Sequence, residues 1–232
     1  MQYYALIDWD NTMHRGYTIY GLADHLHAKG IVSDRLLRVF RELEMLYLAN
    51  AISYSDYTER TCESFARELA GCSAAEYREA VQTFFPVDEP AIFDKAKALF
   101  QLLNKYSIYV YLVSGAPFDV LKAYAKPFGI RGIFAFELDI QHHVLTGRVA
   151  CNYGLNKERI LSHPLFRSPD AIHLLSMGDA VADIPLLDNS RIPIIVGDQR
   201  LALREGSEPL NYTDNSWNLQ LLEERIIRES RS

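Results

Sequence analysis

The chain has 232 residues, of which 49% are hydrophobic and 23% are charged, and its formal net charge at pH 7 is -6. These values are typical of a globular protein with one large domain, or with one domain that carries an insertion. The acidic balance gives no basic footprint for nucleic acid, and no apolar stretch approaches the roughly 18–20 residues of a membrane span. We therefore expect neither nucleic acid nor a membrane among the partners of this protein.

Three cysteines, Cys62, Cys72 and Cys151, are spread over the chain, and none belongs to a Cys-x-x-Cys pair. An odd number of cysteines cannot all pair within one chain, so we expect reduced thiols and a cytoplasmic location. The apolar N-terminal run lacks a basic start and is soon interrupted by acidic residues, so we do not expect it to be a signal peptide.

A short apolar segment at the N-terminus ends in two carboxylates. Residues 3–7 form an unbroken apolar run typical of a strand buried on both faces, and Asp8 and Asp10 follow it. Acids in this position lie at the edge of an α/β sheet where ligands bind. Side chains alternate along an extended chain, so the two can point the same way, and their like charges then need a cation or a shared proton. For this stretch taken alone, a solvated Asp-rich turn is the alternative.

Residues 13–88 carry helical patterns and almost no strand signal. Apolar spacing and capping residues predict four helices, over about 17–29, 34–47, 55–69 and 73–84. We interpret this block as a small α-helical bundle inserted into a domain that residues 1–12 and 89–232 form. The tyrosines of the block are expected in its core rather than at a substrate site: Tyr17, Tyr20, Tyr47, Tyr54 and Tyr57.

From residue 91 onward, helical and strand patterns alternate. The strands are predicted at 108–113, 133–136, 172–177 and 192–196, with a hairpin over 139–149 that turns around 145–147. The helices are predicted at 91–105, from 117, at 155–163, at 183–188 and from about 216. This alternation predicts an α/β fold with a doubly wound, mainly parallel, Rossmann-like sheet.

Polar residues follow the predicted strands at four places. They are Asp8, Asp10 and Thr12, then Ser114 and Gly115, then Lys157, and finally Asp179 and Asp183. Taken singly, each could be a helix cap, a solvated side chain or a turn. The carboxyl ends of parallel strands meet at one edge of a sheet, so their joint placement favours a single site.

The residue types of this site suit phosphoryl transfer. Asp8 is placed to act as a carboxylate nucleophile, and Asp10 to give a proton to the leaving oxygen and take one from the attacking water. The carboxylates of Asp8 and Asp179, with the main-chain carbonyl of Asp10, are oxygen ligands that suit Mg²⁺.

The remaining residues are candidates for holding the phosphate. Thr12, Ser114 and the N–H of Gly115 can contact its oxygens, and Lys157 supplies a positive charge to the phosphoryl group and to Asp8. Asp183 could orient Lys157 or a metal-bound water.

These motifs, in this order, resemble the haloacid dehalogenase-like hydrolase superfamily. The matching residues are Asp8-Trp9-Asp10-Asn11-Thr12, Ser114, Lys157, and Gly178-Asp179 with Asp183. The helical block after the first motif is similar to the cap of the phosphoserine-phosphatase-like branch, and so is the segment 145–149. The resemblance implies that Asp8 is phosphorylated and that Asp10 is the acid/base. An acid at position 10 favours a phosphatase or phosphotransferase, because the dehalogenases and P-type ATPases of the superfamily lack one there.

The chain departs from that branch where phosphoserine phosphatases read their substrate. They carry a glutamate soon after the first motif, whereas residues 13–23 contain no carboxylate and have His14 and Arg15 instead. Ala182 stands where those enzymes have an asparagine. Phosphoserine is therefore disfavoured. We hypothesise that His14 or Arg15 meets an anionic group of the substrate, with a solvated position as the alternative for either.

The expected protein is a Mg²⁺-dependent phosphatase of a small phosphorylated metabolite. Two alternatives stay open: transfer of the phosphoryl group to an acceptor other than water, and a non-catalytic relative that binds a phosphorylated ligand or a partner protein. The presence of Asp8, Asp10, Lys157 and Asp179 argues against the non-catalytic alternative.

Overall fold

A central parallel sheet organises the chain, of which the computed structural model describes residues 1–198, 200–213 and 216–230. The strands of this described part are β1 (Gln2–Ile7), β2 (Tyr109–Pro117), β3 (Ile130–Gln141), β4 (Val144–Cys151), β5 (Ala171–Gly178), β6 (Ile192–Val196) and β7 (Leu210–Tyr212). Their order in the sheet is β4-β3-β2-β1-β5-β6-β7, and only the β3–β4 pair is antiparallel. The predicted α/β fold with a mainly parallel sheet is therefore confirmed.

The first strand lies at the centre because its residues are apolar on both faces. Ala5, Leu6 and Ile7 are fully buried, and β1 pairs with β2 on one side and with β5 on the other. A strand that is covered on both faces reads as a continuous hydrophobic run, as residues 3–7 do. The residues that follow β1 therefore emerge at the middle of the carboxyl edge of the sheet.

Helices cover the sheet on both sides. In the described part they are α1 (Thr18–Ala28), α2 (Asp34–Leu48), α3 (Tyr54–Glu68), α4 (Ala74–Asp88), α5 (Ala96–Lys105), α6 (Phe118–Phe128), α7 (Ile184–Asn189) and α8 (Leu219–Glu229). Short 3-10 turns lie at Glu89–Ala91, Lys157–Ser162, Pro164–Phe166 and Val181–Asp183. None of the described helices has the length and apolar character needed to cross a membrane.

The helices α1 to α4 form one block between β1 and α5. This block rests on the rest of the molecule through α3, which packs against β4, and through α4, which packs against α6. The prediction ended the fourth helix before Pro86, but α4 continues through this proline to Asp88. The division into a core of residues 1–12 and 89–232 and an insert of residues 13–88 stays a prediction.

The hairpin of β3 and β4 turns at a different place from the one predicted. His142 and His143 form the turn, with φ angles of 50° and 66°. Gly147 lies inside β4, where a Cβ atom would come within 2.7 Å of the Cβ atom of Ala70. The φ of Gly147, +83°, also lies in the left-handed region that favours glycine, so its backbone conformation and the close approach of Ala70 both require a glycine at this point of β4.

The two chain segments that connect the helical block to the sheet are joined to each other. The amide of Arg15 donates to Ala91 O at 2.8 Å, and the amide of Phe93 donates to Met13 O at 3.0 Å. These bonds make the two connections a short antiparallel pair.

A buried chain of hydrogen bonds between His14, Asp88 and Tyr124 holds these two connecting segments together. His14 Nε2 lies 2.9 Å from Asp88 Oδ1, and the hydroxyl of Tyr124 donates to Asp88 Oδ2 at 2.6 Å. The other ring nitrogen of His14 faces Gly16 O at 3.1 Å, so both nitrogens face acceptors. Burial lowers the pKa of His14, but the hydrogen bond and charge of Asp88 outweigh it and hold the pKa above its ordinary value.

Replacing Asp88 by alanine leaves His14 and Tyr124 buried without their acceptor. We expect Asp88→Ala to lower the free energy of unfolding by about 3–5 kcal/mol, measured from the urea midpoint. Because the folded-state pKa of His14 is raised, the difference from wild type is largest below its unfolded pKa and shrinks as the pH rises through the folded pKa. The exposed neighbour Glu89 provides the control, since Glu89→Ala should change stability by less than about 0.5 kcal/mol. Equal effects of the two variants would contradict the account.

Candidate active site

A buried lysine joins two carboxylates at the carboxyl end of β1. Lys157 Nζ lies 2.9 Å from Asp8 Oδ1 and 2.6 Å from Asp183 Oδ1, and all three side chains are buried. Burial lowers the pKa of Lys157, but the negative charges of Asp183 and Asp8 outweigh it and raise the pKa above its ordinary value. Lys157 therefore carries a positive charge at this edge of the sheet.

Residues after β5 complete an acidic cluster beside β1. Oxygen atoms of Asp8, Asp179 and Asp183 all lie within 4.8 Å of one another. Asp183 Oδ2 accepts from the amides of Asp179 and Ala180 at 3.2 and 3.0 Å, which fixes the turn. A Cβ atom on Gly178 would lie 2.3 Å from Asp183 Cγ, so only glycine leaves room for Asp183 behind the cluster.

The cluster holds more negative charge than Lys157 can balance. Burial, followed by the charges of Asp8 and Asp183, raises the pKa of Asp179 to about 8, and burial raises the pKa of Asp183 to about 6. Asp8 Oδ1 is buried, and its charge faces Lys157 Nζ at 2.9 Å. Hard oxygen donors and like charges that one lysine cannot balance together fit a divalent cation.

Asp10 lies above the cluster and is tied to the first helix of the helical block. Its Oδ1 accepts from the amide of Thr18 at 2.9 Å and from the hydroxyl of Thr18 at 2.5 Å. Burial raises the pKa of Asp10 to about 6, although the bonds from Thr18 oppose the rise. A carboxyl group with such a pKa can both give and take a proton near neutral pH.

The carboxyl end of β2 meets the loop that leads to Lys157. Ser114 Oγ accepts from the amide of Ala116 at 3.2 Å, and a Cβ atom on Gly154 would lie 2.5 Å from the Cα atom of Gly115. The side chain of Asn152 accepts from the amide of Gly154 at 2.8 Å. Gly154 thus allows the loop to approach the strand closely, and Asn152 fixes the loop around it. Neither residue was among those predicted for the site.

These groups form the floor of a cleft that encloses about 620 Å³ of empty space, part of it open to solvent. The floor is formed by Asp8, Asp10, Ser114, Gly115, Lys157 and Asp179. The roof is formed by Tyr17, Ile19, Tyr20, Tyr54, Tyr57, Thr58, Thr61 and Cys62. Four of the five tyrosines that were expected in the core of the helical block line the cleft: Tyr17, Tyr20, Tyr54 and Tyr57. Of these, Tyr57 is also buried in the core, as expected.

Three residues predicted to bind substrate do not line the cleft. Thr12 is fully buried and its hydroxyl donates to Asp179 Oδ1 at 3.1 Å, so it supports the acidic cluster. His14 is engaged by Asp88, as described above. The guanidinium of Arg15 lies 4.6 Å from the ring centre of Phe93 and donates to Ile92 O at 2.9 Å. The structure does not bring His14 or Arg15 to the floor or the roof.

Comparisons with known proteins agree with this geometry. A family model described as haloacid dehalogenase-like hydrolase matches residues 5–188. A comparison with curated protein sequences gives no match.

Solved structures share the fold at low sequence identity. A protein of unknown function from Bordetella pertussis Tohama I is similar with a TM-score of 0.71 and 21% identity, over 84% of this chain and 90% of that one. A phospho-aspartyl intermediate analogue of phosphoserine phosphatase has a TM-score of 0.56 and 16% identity, over 84% and 86% of the two chains. Cytosolic 5'-nucleotidase IIIB bound to cytidine has a TM-score of 0.63 and 10% identity, over 99% and 86%.

A divalent cation that binds the acidic cluster should stabilise the folded protein. At a concentration of MgCl₂ about 100 times the dissociation constant, we expect a gain of about 2.7 kcal/mol, seen as a rise of roughly 5–10 °C in melting temperature. Asp179→Asn should abolish the rise, whereas Asp94→Asn should keep it, because the side chain of Asp94 is 92% exposed and lies outside the cluster. An unchanged rise in Asp179→Asn would contradict this assignment.

Proposed function

Because the chain belongs to the haloacid dehalogenase-like hydrolases, we propose that it is a Mg²⁺-dependent phosphatase that acts on a small phosphorylated metabolite through a phosphorylated Asp8. The observation that carries the proposal is the buried Lys157 between Asp8 and Asp183, with Asp179 beside them at the floor of a cleft. This arrangement supplies a nucleophile, a positive charge and a set of cation ligands at one point.

In the first step the carboxylate of Asp8 attacks phosphorus. A bond from Asp8 oxygen to phosphorus forms, the bond from phosphorus to the leaving oxygen breaks, and Asp10 gives its proton to that oxygen. Lys157 offsets the charge of the phosphoryl oxygens, and Ser114 and Gly115 orient them. Asp8, Asp179 and the main-chain carbonyl of Asp10 would hold Mg²⁺, which would supply further positive charge to the phosphoryl group.

In the second step water attacks the phosphorus of phosphorylated Asp8. Asp10 takes the proton of this water, the bond between phosphorus and the Asp8 oxygen breaks, and inorganic phosphate leaves. The raised pKa of Asp10, about 6, supports its use as an acid in one step and as a base in the next.

We infer that residues 13–88 act as a cap over this site. The roof of the cleft comes from this block, so the block can exclude water and select the leaving group. The bond between Asp10 and Thr18 supports such a role, because it ties the acid/base to the first helix of the block.

Removal of the nucleophile tests the proposal. We expect Asp8→Asn to release no phosphate from acetyl phosphate in the presence of MgCl₂. Its circular dichroism spectrum and urea midpoint should match those of the folded wild-type protein. Asp94→Asn, an exposed carboxylate, should keep the wild-type rate. Wild-type turnover by Asp8→Asn would show that the covalent mechanism is wrong.

Crowding behind the cluster should lower the rate by displacing Lys157. In Gly178→Ala the new methyl group meets Asp183, the partner that holds Lys157, so we expect phosphate release to fall by about 10²-fold. Gly30→Ala serves as the control, since Gly30 has φ +72° and no atom within 4 Å of an added Cβ. That variant should lose about 1–2 kcal/mol of stability through strain but keep its rate. Similar rates for both variants would contradict the positioning role of Asp183.

A further inference from the structure

The roof of the cleft offers rings and hydroxyl groups but no charge. Its polar and aromatic side chains are Tyr17, Tyr20, Tyr54, Tyr57, Thr58 and Thr61. Among the described residues that line the cleft, Lys157 is the one cation, and it is already paired with Asp8 and Asp183. An anionic group on the leaving side of a substrate would therefore lose its water without gaining a partner.

The tyrosines are held in fixed positions. The hydroxyls of Tyr20 and Tyr57 are hydrogen bonded at 2.5 Å, and Tyr47 stacks on Tyr57 from behind, with ring centres 5.0 Å apart. Tyr17 meets Tyr57 edge-on, with centres 6.5 Å apart and planes at 74°. Because these rings are already ordered before a ligand binds, binding costs little conformational entropy.

Two of these rings stand over the phosphoryl floor. Burial raises the pKa of Tyr54, and the charge of Asp8 adds to the rise, while the charges of Asp179 and Asp10 add to that of Tyr17. Both phenols therefore stay protonated and uncharged beside the floor. The side chain of Tyr17 is 36% exposed, so its ring remains accessible to a ligand.

The geometry points to phosphate monoesters whose leaving group carries an aromatic ring and no negative charge, recognised by Tyr17 and Tyr54. Such a ring gains edge and face contacts with both tyrosines, and its polar edges can bond to the hydroxyls of the roof. This inference rests on the proposed phosphatase activity.

A panel of four esters tests it, because the leaving groups differ in one property at a time. They are 2-phenylethyl phosphate, its saturated match 2-cyclohexylethyl phosphate, the anionic 2-(4-carboxyphenyl)ethyl phosphate and the cationic 2-(trimethylammonio)ethyl phosphate. We expect kcat/KM for the phenyl ester to exceed that for the cyclohexyl ester by about 3- to 10-fold. It should exceed the value for the anionic ester by at least about 100-fold, because the roof offers that charge no partner. It should also exceed the value for the cationic ester, whose charge the ring faces can attract.

Variants of Tyr54 separate its ring from its hydroxyl. Tyr54→Phe should keep the preference for the phenyl ester over the cyclohexyl ester, and Tyr54→Leu should reduce the ratio to about one. Tyr109→Leu is the control, because Tyr109 is an exposed tyrosine at the opposite end of β2 from Ser114, and it should leave the ratio unchanged. A purely structural role of Tyr54 would lower all rates equally and leave the ratio unchanged, which would overturn the inference.

Two further readouts separate this inference from the proposed function. Acetyl phosphate has a leaving group too small to need the roof, so its hydrolysis reports on the floor alone. If the protein hydrolyses acetyl phosphate but prefers a charged or saturated ester, the inference about the ring is overturned and the proposed phosphatase activity is retained. Calorimetric binding of the four esters to Asp8→Asn with MgCl₂ should give the same order of affinity without turnover. If the esters bind in this order but the wild-type protein hydrolyses none of them, the proposed function is overturned and the recognition of the ring is retained.

Discussion

The ion pairs of Lys157 with Asp8 and Asp183 are the constraint on which the site depends. A lysine is rarely fully buried without partners, and here two carboxylates from neighbouring strands hold it charged. The pairing of β1 with β5 brings Asp8 beside Asp183, and Gly178 leaves the room that Asp183 needs. The loop that leads to Lys157 in turn packs closely against the carboxyl end of β2, where Gly154 meets Gly115. The parallel sheet is thus what converts three distant stretches of sequence into one charged centre.

The same centre is coupled to the helical block above it. Asp10 follows Asp8, the proposed nucleophile, by two residues, yet its carboxylate binds the start of α1 through Thr18. Below, the His14–Asp88 pair joins the two connections that lead into and out of the block. A movement of the helical block would therefore shift the carboxylate of Asp10. This coupling gives a physical route by which a leaving group that fits the tyrosine roof can also place the acid that protonates it.

Sequence reasoning predicts the floor of the site far better than its roof. The carboxyl ends of parallel strands must meet, so the joint position of Asp8, Ser114 and Asp179 follows from the strand pattern. Lys157 follows the antiparallel strand β4, so its place at the same edge does not follow from this rule. Helical periodicity shows which side of a helix is apolar, but it does not show whether that side faces another helix or a cleft, and the tyrosines were misplaced for this reason. Similarly, Gly147 has the sequence signature of a turn, although it lies within β4, where its φ of +83° and the close approach of Ala70 both require glycine. His14 was expected at the substrate because it lies in the region where phosphoserine phosphatases carry a glutamate. Its side chain points elsewhere, and spacing gives no direction for a side chain outside regular structure.

The phosphorylation of Asp8 is the central claim, and trapping the acyl phosphate tests it most directly. Wild-type protein would be mixed with acetyl phosphate and MgCl₂, quenched in acid, reduced with borohydride and digested for peptide mass spectrometry. Borohydride reduces an aspartyl phosphate to homoserine, so the account predicts homoserine at position 8 and unmodified aspartate at position 10. Steady release of phosphate with aspartate intact at position 8, or with homoserine at position 10 instead, would contradict it.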